Sequence, residues 1–113
     1  MTVSSVLEPL IKRQLFANQD AAVRELTRDY ILRHIEELSK RIRQFETQHG
    51  MTFGRFDEYL RERSALLASP ELDDVQRRIL GQAIMQEEDD WLEWKADREI
   101  LESWLGIQQE VKN

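Results

Sequence analysis

Residues 19–48 read QDAAVRELTRDYILRHIEELSKRIRQFETQ, a stretch free of proline and glycine. Its apolar side chains fall at Val23, Leu26, Tyr30, Ile31, Ile35, Leu38, Ile42 and Phe45. The later steps of 4, 3, 4 and 3 keep them on one side of an α-helix as a heptad-like stripe. Asn18 stands where an N-cap belongs, and Asp20 follows in the first turn, where its charge complements the helix dipole. Gly50, just after His49, occupies the place of a C-terminal glycine stop. The spacing therefore predicts one long central helix over about 19–48. A helix this long in so short a chain exceeds what one compact core covers. The eight stripe residues are accordingly expected to bury against a second copy, in an intertwined or coiled-coil-like homodimer.

On the N-terminal side, Ser4 or Ser5 can cap a short helix whose apolar stripe is Val6, Leu7, Leu10 and Ile11. Pro9 is expected within its first turn, and its end near Leu15. Phe16 can fold back on Ala22 or Val23 as a hydrophobic staple. On the C-terminal side, Thr52 is the expected cap of a shorter helix carrying Phe53, Phe56, Leu60 and Leu67. The triplet Ser69-Pro70-Glu71 is a second start signal, with Ser at N-cap and Pro in the first position. It predicts a long C-terminal helix over about 70–105, carrying Leu72, Val75, Ile79, Ala83, Trp91, Trp94, Leu101 and Leu105 and stopped by Gly106. Asp90 followed by Glu93 imitates a capping box, so a break near 87–90 is an alternative to one continuous helix. No alternating strand pattern and no internal repeat occurs. The fold class is all-α and elongated.

Composition agrees with long amphipathic helices: 34% of the 113 residues are charged and 41% hydrophobic. The charge is uneven. Residues 1–50 hold 8 Lys+Arg against 7 Asp+Glu, a net of +1, while residues 51–113 hold 8 against 15, a net of −7, which together give the −6 of the chain. This suggests a dimerisation region over 1–50 and an acidic partner-binding region over 51–113 within one cooperative domain. Acidity serving only solubility is the plainer alternative. There is no Cys, hence no disulfide scaffold and no thiolate metal site. Neither a signal peptide nor a membrane span is expected, and a prokaryotic, cytoplasmic protein is the default.

Chemistry-bearing constellations are sparse. Glu46-x-x-His49 has the spacing of carboxylate-bridged di-iron bundles, but no second copy accompanies it. The other reading of His49 is a helix-end cation. No nucleophile elbow and no phosphate-binding glycine loop is present. No catalytic residue, metal ligand or cofactor is therefore assigned, and the protein is expected not to be an enzyme. The most unusual stretch is Glu87-Glu88-Asp89-Asp90-Trp91-Leu92-Glu93-Trp94-Lys95. Trp91 and Trp94 share one helical face. If exposed, they suit a partner's groove, with Glu87, Glu88, Asp89 and Asp90 speeding the encounter. If buried, they form the core instead.

Residues 10–28, LIKRQLFANQDAAVRELTR, resemble the helix–turn–helix core of ribbon-helix-helix antitoxins and repressors. The family's aromatic after the first helix, the capping residue and the opening of the second helix correspond here to Phe16, Asn18, Ala22, Val23, Arg24, Glu25, Leu26 and Arg28. Only Met1 to Val6 precede the first helix, which leaves little or no room for the family's DNA-reading strand, and Gln14 stands where a Gly is usual. The resemblance implies a dimeric antitoxin-like protein whose acidic half masks a small toxin-like protein from an adjacent gene. DNA binding through Lys12, Arg13, Arg24 and Arg28 would make it a repressor, and a helical scaffold without a toxin partner is the third reading.

Overall fold

The computed structural model describes residues 3–13 and 18–112, and the side chains among them except those of residues 3–6 and 112. Among the described residues the fold is all-α: α1 (Val3–Lys12), α2 (Gln19–His49), α3 (Phe53–Leu66) and α4 (Asp74–Lys112), with no strand. No helix among them is long and apolar enough to cross a membrane.

The helix boundaries follow from local hydrogen bonding. Asn18 Oδ1 accepts the Ala21 N–H at 2.8 Å, which caps α2 as its sequence predicts. At the other end Gly50 takes φ of 64°, and the Met51 N–H bonds back to the Glu46 carbonyl at 3.3 Å. That pattern closes a helix through a left-handed residue, a conformation glycine adopts without steric cost. Thr52 Oγ1 accepts the Arg55 N–H at 3.3 Å and starts α3.

Three expected boundaries are corrected. Helix α1 begins at Val3, which puts Ser4 and Ser5 inside it rather than at its cap, and Pro9 is its seventh residue. Helix α1 ends at Lys12, ahead of the expected end near Leu15, and the Phe16 staple falls outside the described residues. Helix α4 begins at Asp74, not Pro70. The winning signal is a reciprocal cap, in which Asp73 Oδ1 accepts the Gln76 N–H at 2.7 Å and Gln76 Oε1 accepts the Asp73 N–H at 3.1 Å. Ser69 is spent in the connection, where the Arg77 guanidinium donates to the carbonyls of Leu67, Ser69 and Leu72 at 3.1, 3.0 and 3.3 Å. Finally, α4 neither breaks at 87–90 nor stops at Gly106. Gly106 lies within the helix and costs it stability without ending it.

The chain divides into two compact units, Met1–Glu36 with Ser103–Asn113, and Glu37–Glu102. Charge had suggested a division after residue 50. The observed one is discontinuous, because both long helices take part in both units. In the second unit α2, α3 and α4 enclose Phe56, Leu60 and Trp94, with Ile42, Phe45, Met51, Phe53, Tyr59 and Trp91 packed around them. Phe45 and Phe56 stack on the Trp94 ring at centroid distances of 5.6 and 5.5 Å, and Phe53 meets it edge-on at 5.4 Å. The first unit buries Leu7, Ala22 and Ile31. There His34 stacks on Trp104 at 4.5 Å, and Tyr30 meets both rings edge-on.

Candidate functional site

Helix α4 is built on one inward stripe. Leu80, Ile84, Glu87, Trp91, Trp94, Asp97, Leu101, Trp104, Gln108 and Val111 recur at steps of 3 and 4, and each is buried or half-buried. Two stripe positions are carboxylates, and each meets an arginine. Glu87 Oε1 lies 2.6 Å from Arg63 Nη1 on α3, and Asp97 Oδ1 lies 3.2 Å from Arg41 Nη2 on α2. Val75, Ile79 and Leu105, expected on the apolar face, are exposed instead. The true stripe runs about a quarter-turn away from them, through the tryptophans.

This phase divides the acidic run. Glu87 faces α3. Asp90 faces α2, where its Oδ2 lies 2.9 Å from His49 Nε2 and accepts from the Gln48 side-chain amide at 3.2 Å. His49 in turn packs its ring 4.2 Å from that of Phe56. These two acids brace helices. Glu88 and Asp89 are exposed, as is Glu93 one turn on, and among the described residues none of the three makes an ion pair.

Of the expected partner-binding residues, Trp94 is corrected: at 0% exposure it is the centre of the core, where no partner reaches it. Trp91 is half-buried, donates its indole N–H to Asp57 Oδ1 at 3.1 Å, and carries the Lys95 ammonium over its ring at 5.1 Å. Its outer side opens on a surface groove of 440 Å³ between α3 and α4, lined by Asp57, Leu60, Arg61, Ser64, Glu88, Trp91 and Leu92. Leu92 is 57% exposed at its edge. The groove escaped sequence reading because it needs the rotational setting of α3 against α4. Arg55, on the outer side of α3, is held above its ordinary pKa first by its hydrogen bond to Glu62 and then by the charges of Glu62 and Glu58.

The expected dimerisation stripe is split as well. Leu38 is buried, and Ile35, Ile42 and Phe45 are half-buried, the last two against the core of their own chain. Ile31 is buried in the first unit. For Leu38, Ile42 and Phe45 the chain's own helices supply the cover that a mate was expected to provide. Val23, Leu26 and Tyr30 stay open, and every residue from 23 to 30 is exposed.

The expected DNA contacts Lys12, Arg13, Arg24 and Arg28 are all exposed. Lys12 pairs with Glu8 at 3.6 Å, while Arg28 borders a cavity of 270 Å³ with Ile31, Leu32, Gln108 and Val111. Among the described residues no group of three or more His, Cys, Asp or Glu side chains is placed to hold a metal ion, and His49 of the Glu46-x-x-His49 pair is turned to Asp90. No family model, curated protein or solved structure matches this chain.

Proposed function

We propose that this chain is a non-catalytic, antitoxin-like interaction protein. It acts in the prokaryotic cytoplasm, self-associates through its N-terminal half and holds a partner protein through the acidic face of α4. The observation that carries this reading is the division of the acid run. Glu87 and Asp90 are consumed in bracing helices, whereas Glu88, which lines the groove, and Asp89 and Glu93, which lie outside it, stand exposed and unpaired. Like charges at i and i+4, as Asp89 and Glu93 are, repel on one helix, and a basic partner relieves that repulsion.

Self-association is supported by the 23–30 segment, two helical turns in which Val23 and Leu26 are exposed and Tyr30, although its ring meets those of His34 and Trp104, keeps about half of its surface open. Helices gain most of their stability from a packed face, which within one chain this segment has at Tyr30 but leaves largely open at Val23 and Leu26. Its surroundings suit a second copy: Asp20, Glu25 and Asp29 balance Arg24, Arg28 and Arg33, so a copy meets no net charge.

The test is co-purification of the full chain with the products of the adjacent reading frames. A stoichiometric complex with a small basic protein is expected. No complex with any neighbour overturns the reading. Exposed Arg24 and Arg28, one turn apart on α2, favour DNA binding as a second role. A low-salt gel shift on the gene's own promoter that shows no retardation removes it.

A further inference from the structure

We infer that α4 has two alternative starts and that Arg77 is the latch between them. With its guanidinium on the connection the helix begins at Asp74; with the guanidinium released it begins at Pro70, one turn earlier. This goes beyond the partner-binding reading and does not depend on it.

Two start signals compete over residues 69–76, and the structure satisfies both in part. At the later one, the side chains of Asp73 and Gln76 each accept the other's backbone N–H. At the earlier one, Ser69 Oγ accepts the Glu71 N–H and the Ser69 carbonyl accepts the Leu72 N–H, each at 3.4 Å, which outlines the first turn of a longer helix. Ser69 stands ready as its N-cap, Pro70 as its first residue and Glu71 as the acid of its first turn.

To complete that turn, the Asp73 N–H must bond to the Ser69 carbonyl and the Gln76 N–H to the Leu72 carbonyl, four residues back in each case. Those two carbonyls are the ones that Arg77 Nη2 bridges, at 3.0 and 3.3 Å, while Arg77 Nε holds the Leu67 carbonyl just past the end of α3. The two N–H groups are the ones tied up in the reciprocal cap. The Arg77 N–H bonds to the Asp73 carbonyl at 2.9 Å and serves either helix unchanged.

The later start thus holds the reciprocal cap and the charge-assisted bonds of one guanidinium, and the earlier start holds one more turn with its own cap. Without the guanidinium the balance passes to the longer helix. The Arg77 side chain is 42% exposed, so water competes for it and the latch is reversible. Release changes the surface. Leu72, now half-buried, comes into helical line with exposed Val75 and Ile79 at steps of 3 and 4, and α4 lengthens by about 6 Å.

The experiment compares carbon chemical shifts and amide exchange over residues 70–76 in the full chain and its variants. Arg77→Met keeps an unbranched stem and removes the donors. In it, residues 70–73 are expected to take helical shifts, and the Asp73 amide to exchange about tenfold more slowly than in the native chain. Adding Ser69→Ala to Arg77→Met should return the start to Asp74 and restore fast exchange, because only the longer helix uses Ser69 as its cap. Shifts around Trp94 report that the core stays formed. If Arg77→Met does not fold, Arg77→Lys, which keeps the charge but lacks the fork that spans three carbonyls, is judged by the same outcomes. Residues 70–73 that stay non-helical in the folded variant, or that remain as helical once Ser69→Ala is added, overturn the inference.

Discussion

Arg41 Nη2 on α2 lies 3.2 Å from Asp97 Oδ1 on α4, and Asp97 is only 3% exposed. Its second oxygen is buried without a hydrogen-bond partner among the described residues. A carboxylate in such a place depends on its single cation. Arg41→Ala is expected to destabilise the protein by about 2–3 kcal/mol, below the range for fully buried pairs because the arginine is half exposed to water. The double variant Arg41→Met/Asp97→Leu should recover most of the loss, since an apolar pair leaves no stranded charge. Urea denaturation checks both. A double variant no more stable than Arg41→Ala would contradict this account.

The two central tryptophans should respond unequally. Trp94→Ala removes a wholly buried ring from among Phe45, Phe53 and Phe56 and is expected to cost about 3–5 kcal/mol. Trp91→Phe keeps an aromatic ring but loses the bond to Asp57, a cost of about 1 kcal/mol. Denaturant midpoints measure both, and equal losses would show that Trp91 also belongs to the core.

The start of α4 is tested at its two competing signals. Asp73→Ala should lower stability by about 1 kcal/mol, because Asp73 caps the helix and anchors the reciprocal bond with Gln76. Ser69→Ala should cost far less, since Ser69 Oγ only accepts a long bond of 3.4 Å from the Glu71 N–H. The reverse ranking in thermal melts would place the helix start at Pro70.

One substitution should have opposite signs at two glycines. Gly50→Ala forces alanine to φ of 64° and is expected to cost about 1–2 kcal/mol. Gly106→Ala places a better helix former inside α4, where an added Cβ meets nothing within 4 Å, for a gain of about 0.5–1 kcal/mol.

Self-association is tested by Leu26→Glu. Light scattering is expected to show a dimer for the native chain and the monomer mass for the variant, with helicity kept. A native chain that already runs as a 13.5 kDa monomer contradicts self-association.

Much of the fold was legible because its boundaries are local. Asn18, Gly50 and Thr52 each act within a few residues of their position, and the structure uses all three as the sequence suggests. The start of α4 was harder, because Ser69-Pro70-Glu71 and Asp73-x-x-Gln76 are both valid start signals. The choice between them involves Arg77 gripping the carbonyls of the connection. The stripe of α4 was legible at Trp91, Trp94 and Leu101 but misplaced at Val75, Ile79 and Leu105, for a different reason. Its stripe contains Glu87 and Asp97, and a search for apolar periodicity passes over acids even when arginines on other helices make them inward-facing. The same blindness hid the groove. That Glu87 turns in and Glu88 turns out depends on how α4 is rotated against α3, a tertiary fact with no local signature.

Trp91 also makes the groove optically visible. Its indole is hydrogen-bonded to the carboxylate of Asp57 and borders the open furrow, whereas Trp94 is sealed inside the core and Trp104 belongs to the other compact unit. Emission from a chain carrying Trp104→Phe would come from two fluorophores, one shielded from solvent and one at the groove mouth. Whatever settles on Leu92 therefore displaces water from a single chromophore, and the protein reports its own occupancy in colour.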